Sequence, residues 1–289
     1  MNTSRRNFLA LTSGLGVLGL AACAPKQGSS GNEDHGNTGT QEPEVNLREF
    51  EDLTLDVDAW QYDKANDCYY QLGLKYCTKP ASTTYETLAI FVPGAYFDAT
   101  AKGNRYSCVV KKDATVGTLS PATAPAVMPI NSVRLSAQAC PESYSYEGLS
   151  RYLKAGLVYV YAGFRGRSSG YDSSSKVMIA GGSPWPVVGL KAAVRYLRYN
   201  AASLPIDPER IFVFGYGAGG GLSATMGAMG DSDLYTKYLD SIGAATHDAQ
   251  GVALSDKIYG SASWCPITSF DTQDSAYEWM MGQFASTDT

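Results

Sequence analysis

Apolar and polar positions along this chain divide it into segments of distinct period. Leu53 to Trp60 alternates apolar and polar residues, as does Tyr69 to Cys77, which predicts two half-buried strands opening the domain at a sheet edge. Thr87 to Val92 is continuously apolar and stops at Pro93-Gly94-Ala95-Tyr96, the pattern of a central strand buried on both faces. Pro121 to Pro141 has four prolines and little periodicity and reads as an irregular excursion. Gly156 to Phe164 is another buried strand. A helix then begins at Ser183-Pro184-Trp185-Pro186, with Val187, Leu190, Val194 and Leu197 on one stripe and Lys191, Arg195 and Arg198 among the exposed positions. It ends before the turn Leu204 to Arg210, which feeds a strand at Ile211. Strand, helix and strand in this order make a parallel crossover, so the fold class is α/β.

The chain is organised around the next stretch. The apolar run Ile211-Phe212-Val213-Phe214 meets Gly215-Tyr216-Gly217-Ala218-Gly219-Gly220-Gly221, and small residues through Met226 follow as a helix able to pack tightly behind the turn. A strand-to-helix turn this sharp holds its middle residue at a strained backbone angle, which glycine tolerates best. A last strand is expected from about Ile258 to Ile267.

Composition narrows the function. A net charge of −5 with no long Lys/Arg run argues against nucleic acid as a partner. Twenty tyrosines fit a site for sugars or aromatic rings, and fit equally well as strand formers at the rim of the core. Arg165 and Arg167 follow a central strand directly, where ligands bind in open α/β sheets. They are candidates to hold a substrate carboxylate or phenolate, with pairing to Asp or Glu as the competing role. The histidines are sparse and no cysteine pair has CxxC spacing, so neither a metal site nor a cofactor is expected. Cys68 and Cys77 flank a strand and are a candidate disulfide.

The first residues read as an address. Ser4-Arg5-Arg6-Asn7-Phe8-Leu9 has the twin-arginine pattern, and Leu11 to Ala22 is apolar but too short to span a bilayer. Leu20-Ala21-Ala22-Cys23 resembles the lipobox of bacterial lipoproteins. That resemblance implies a signal peptide over 1–23 and lipidation at Cys23, with the protein exported and anchored at the outer face of the cell membrane. Residues 24–46 are polar and Gly/Ser-rich, a flexible tether before a domain over 47–289.

Gly215-Tyr216-Gly217-Ala218-Gly219 has the frame of the G-x-S-x-G nucleophile elbow of α/β-hydrolases, with glycine at the serine position. With Ala218 to Ala224, Gly227 to Gly230, the Arg165-Gly166-Arg167 turn, and Cys265-Pro266-Ile267-Thr268 followed by Asp274 to Trp279, the chain resembles the bacterial tannases over roughly Thr87 to Trp279. Those are carboxylesterases that cleave galloyl esters through a Ser-Asp-His triad. The resemblance implies an α/β-hydrolase-like, mostly parallel sheet flanked by helices. It puts the lost nucleophile at Gly217 and an oxyanion hole at the Ala218 N–H with the loop Gly94-Ala95. It also implies a small ester or aromatic molecule as ligand.

The catalytic histidine of such a triad follows the last strand, whereas the two histidines here are His35, in the tether, and His247, expected at the surface of a polar loop. Ser223 lies nearly two helical turns past the elbow and is expected to point into packing. The reading is therefore an esterase scaffold inactive as written, and two explanations fit: a C-terminally incomplete fold, or a complete non-catalytic lipoprotein that binds aromatic or sugar-like ligands.

Overall fold

The computed structural model describes residues 45–172 and 177–268, and their compact unit begins at Val45. The expected signal peptide with Cys23, His35, nearly all of the tether, and Asp274 to Trp279 lie outside the described residues.

In chain order the strands and helices are β1 (Gln61–Asp63), β2 (Cys68–Lys75), β3 (Thr87–Pro93), β4 (Phe97–Lys102), β5 (Arg105–Val110), β6 (Ala126–Ile130), α1 (Ser150–Leu153), β7 (Val158–Ala162), β8 (Tyr171–Asp172), β9 (Val177–Met178), α2 (Trp185–Tyr199), β10 (Ile211–Tyr216), α3 (Ala218–Ala228), α4 (Thr236–Ile242) and β11 (Gly260–Trp264). Seven of the strands form one sheet in the order β1-β2-β3-β7-β6-β10-β11. The four strands β7, β6, β10 and β11 run parallel, while β3 is antiparallel to both of its neighbours, β2 and β7. The pairs β4–β5 and β8–β9 are separate antiparallel ribbons.

Burial follows the alternation of side chains across the sheet. On β3, Leu88, Ile90 and Val92 enter the main core, while Ala89 and Phe91 enter a second cluster on the opposite face with Leu149 and Leu153. On β10, Ile211 and Val213 are buried beneath α3, whereas Phe212 and Phe214 are half-buried. On their side of the sheet α1 packs over β3 and β7. Beyond it lies an apolar trough of about 760 Å3 whose walls include Val127, Tyr152, Phe212, Phe214 and Trp264.

Several expectations are corrected here. Leu53 to Trp60 is no strand. Leu53, Leu55 and Trp60 are buried, but the Asn200 side-chain amide donates to Leu53 O at 3.0 Å and accepts from Leu55 N at 2.8 Å, satisfying backbone that would otherwise need a strand partner. The excursion from Pro121 to Pro141 contains β6, a central strand paired with both β7 and β10. Pro129 donates no hydrogen bond, and the buried Gln138 side chain reaches in to donate to Pro129 O at 3.2 Å and Ala162 O at 2.6 Å.

Cys68 and Cys77 are both free. They sit at and beyond opposite ends of β2, and nine residues at about 3.3 Å per residue hold them far outside disulfide reach. Lys191 is buried rather than exposed. Its ammonium, with no accessible surface, donates to Asp256 Oδ1 at 2.5 Å and to Met229 O at 2.5 Å, and it lies 4.8 Å from the Tyr235 ring centroid. Arg195 pairs with the other Asp256 oxygen at 2.8 Å.

Candidate active site

The elbow forms where β10 gives way to α3. Gly217 caps the helix with φ 60° and ψ −120°, in the positive-φ range that favours glycine. The turn is held from both sides. Gly217 N–H donates to Trp264 O at 2.9 Å, and Ile267 N–H donates to Gly217 O at 3.0 Å, tying it to the end of β11. Gly219 N–H donates to Ser132 O at 3.2 Å, tying it to the loop after β6.

The glycines here fall into two kinds. A Cβ on Gly215 would collide with the backbone of Gly219, and one on Gly219 would collide with the carbonyl of Ile130. On Gly220 it would stand 2.8 Å from Trp264 O. These three are required by close approach. At Gly217 a Cβ would have nothing within 4 Å, so only the backbone angle demands glycine there, and a side chain would stand in open space at the carboxyl edge of the sheet.

The loop beside the elbow is Asn131 to Ala137, and it differs from the one expected. Because β3 runs antiparallel to β7, its carboxyl end carries Gly94 and Ala95 to the opposite end of the sheet from Gly217. Gly94 N–H is moreover committed to Asp67 O at 2.7 Å. The assignment of Gly94 and Ala95 to the oxyanion hole is therefore corrected: an apolar run in a sequence carries no sign of its direction relative to its neighbours. After β6, Asn131 N–H donates to Gln138 Oε1 at 2.6 Å and Val133 N–H to Ser136 Oγ at 3.1 Å, so the loop is braced by its own side chains. Ser132 N lies 3.4 Å from the position a Gly219 Cβ would take, which sets its N–H beside the start of α3. Ala218 is buried at the first helical position, and its N–H is one of the donors a helix start leaves without an intrahelical acceptor.

Arg165 and Arg167 emerge at this same end of the sheet, past the end of β7. Arg165 is buried: its Nε donates to Glu86 Oε1 at 2.8 Å and its Nη1 to Ala180 O at 3.0 Å, and its guanidinium lies 3.8 Å from the centroid of Trp185. Glu86 in turn accepts from Ala81 N at 2.5 Å and Ser82 N at 3.0 Å. Arg167 is half-buried, with its N–H donating to Leu135 O at 2.8 Å. Beside the turn, Tyr216 precedes Gly217 and is 72% exposed, Val133 in the neighbouring loop is 75% exposed, and Trp264, whose carbonyl holds Gly217 N–H, is 56% exposed and lines the apolar trough.

Two other expectations meet the structure. Ser223 is buried and its hydroxyl lies 3.3 Å from Val213 O and 3.2 Å from Ala262 O, facing packing as expected. His247 is corrected, because it is 8% exposed rather than at the surface. Its ring lies edge-on to Phe50 at 5.0 Å, with Nε2 3.1 Å from Asn46 O and Nδ1 3.1 Å from Thr246 Oγ1. Both ring nitrogens are thus engaged away from the elbow. Among the described residues no group of three or more His, Cys, Asp or Glu is placed to hold a metal ion.

Solved structures match this architecture at once. The native tannin acyl hydrolase from Lactobacillus plantarum is 30% identical, with a TM-score of 0.60 over 78% of this chain and 47% of its own. The tannase of Fusobacterium nucleatum is 30% identical, with a TM-score of 0.58 over 74% of this chain and 41% of its own. The BD-FAE family model matches residues 160–283. The domain has the α/β-hydrolase fold and is similar to the bacterial tannases. A tannin acyl hydrolase solved in complex with ethyl gallate is 29% identical, with a TM-score of 0.60 over 80% of this chain and 48% of its own. The tannase-like chain therefore spans less than half the length of these solved proteins. No curated protein matches it.

Proposed function

We propose that this tannase-like domain keeps the frame of a carboxylic-ester hydrolase for galloyl or other aromatic esters and, as it stands, carries no turnover. One observation supports this above the rest. The elbow is built to its last hydrogen bond, yet the position whose side chain would stand in open space holds glycine. A serine nucleophile and its base together supply several orders of magnitude in rate. Neither is present at the elbow among the described residues, and His247, whose ring nitrogens are both engaged, supplies no base there. The Ala218 N–H and the loop at Ser132 remain as donors able to face a carbonyl oxygen. In this reading Arg165 is a structural tie between Glu86 and Trp185, and Arg167 lies closer to the ligand.

A second reading is favoured by the exposed Tyr216, Trp264 and Val133 around Gly217: the cleft binds an aromatic ligand without converting it. The relative solved with ethyl gallate gives the probe. We further propose, on the twin-arginine and lipobox pattern alone, that the protein is exported and held at the outer face of the membrane through Cys23.

The test is gallate release from ethyl gallate by the full chain, paired with calorimetric titration of the same ester. The first reading expects no release above the buffer rate. Saturable binding without release supports the second reading, and steady turnover overturns both.

A further inference from the structure

We propose that a second ligand site lies where β2 bulges away from β3, and that it takes a neutral polyhydroxylated ring of hexose size. The β2–β3 register shifts between Gln71 and Leu74, and Gly73 at the bulge has φ +71° with nothing within 4 Å of where a Cβ would stand. A bulge bends its strand and leaves its extra residue out of the ladder. The space left is a cavity of about 330 Å3 walled by Leu72, Gly73, Thr83, Thr84, Pro141 and Glu142.

The chemistry of these walls selects the ligand. The carbonyls of Thr83 and Thr84 are already engaged, since Thr83 O accepts from Thr87 Oγ1 at 2.9 Å and Thr84 O accepts from Cys140 N at 3.2 Å. Their hydroxyls and the Glu142 carboxylate make no hydrogen bond to protein among the described residues, so two donor–acceptor groups and one acceptor on the cavity's lining residues are available to a ligand. No Lys, Arg or His lines it, which leaves a bound anion without a counter-charge. One carboxylate is also too few for a hard cation that takes six to eight oxygen ligands. A sugar hydroxyl both donates and accepts, matching the threonines and the carboxylate. Leu72 and Pro141 offer an apolar wall to the C–H face of the ring. At about 30 Å3 per water the cavity holds roughly ten waters, ample for one ring.

The site stands apart from the elbow. Thr87 lies at the carboxyl end of the parallel strands, but β3 and β10 are separated by two strands, or about 14 Å at ordinary strand spacing. This inference does not rest on the esterase reading and survives its failure.

Ligand-observed saturation-transfer NMR on the full chain, titrated with methyl glucopyranoside, tests it. Saturable binding in the millimolar range is expected, weakened about fivefold or more by Glu142→Gln and by Thr84→Val, and unchanged by Gly217→Ser. Both wall variants alter exposed side chains, and circular dichroism checks that they fold. No saturable signal up to about 50 mM sugar, or equal affinity in the native chain and both wall variants, overturns the proposal.

Discussion

The charged hub at the far end of α3 makes the most exacting stability test. Asp256 is 1% exposed at its side chain and accepts from Lys191 Nζ at 2.5 Å, from Arg195 Nη2 at 2.8 Å and from Asp231 N at 2.8 Å. It thereby ties α2 to the segment after α3 and to the segment leading into β11. Asp256→Asn keeps the shape and removes the charge, leaving the fully buried Lys191 ammonium with the Met229 carbonyl and the Tyr235 ring. Breaking a buried pair by removing one partner costs about 3–5 kcal/mol, because the remaining charge stays desolvated. With a urea slope of about 2–3 kcal/mol per molar, the unfolding midpoint should fall by about 1–2 M. Lys191→Met should cost less, since Asp256 keeps Arg195 and the Asp231 N–H. The double variant Lys191→Met with Asp256→Asn should show coupling of about 0.5–3 kcal/mol. An Asp256→Asn midpoint within about 0.2 M of the native chain would refute the hub as a stability determinant.

Two further outcomes are expected. Gly217→Ala should cost about 1–3 kcal/mol for its backbone angle alone, and Gly219→Ala should cost more, adding a backbone collision with Ile130 to a weakened hydrogen bond with Ser132; thermal melts in the reverse order would contradict the two-kinds view of these glycines. The second concerns alkaline pH. The hydrogen bond to Asp67 holds the Tyr62 hydroxyl up at about 12, and burial pushes Tyr69, Tyr96, Cys68 and Cys108 up to about 12 as well. Folded values above the unfolded 9 to 10 mean that this stability is complete below about pH 9 and is lost as pH rises through about 12. The tyrosinate absorbance of these buried tyrosines should therefore appear as a separate late step, together with loss of far-ultraviolet circular dichroism; ionisation of all twenty tyrosines completed near pH 10 in a chain that stays folded would count against it.

Much of this fold is legible from periodicity. The runs of β2, β3, β7 and β10, the stripe of α2, and the glycine-dense start of α3 all appear in the sequence because each buries a face through a local pattern. What escapes depends on partners distant in the chain. Leu53 to Trp60 alternates like a strand, yet Asn200 bonds Leu53 and Leu55 from about 145 residues away, and only Trp60 forms a bridge, to Tyr106. The β6 run Ala-Val-Met-Pro-Ile hides among prolines, and only Gln138, reaching across from the following loop, makes Pro129 tolerable there. Lys191 falls on the polar side of a helical wheel and is buried because Asp256 meets it 65 residues later. The elbow itself is legible to the residue, whereas its neighbouring loop is not, because strand direction within the sheet decides which loop arrives. The run of small residues just before Gly219 could not name Ser132 as its hydrogen-bond partner.

The most direct measurement is gallate release from ethyl gallate by the full-length Gly217→Ser variant, followed from the first turnover. Space is open for the serine side chain, and the variant should fold at a cost of about 1–3 kcal/mol. With His247 held by Asn46 and Thr246, the new hydroxyl has no histidine base among the described residues to take its proton. Release should remain weak, several orders of magnitude below a triad esterase, with no acyl-enzyme burst. A burst followed by turnover on the order of 1 per second would contradict this and reveal a base at the elbow.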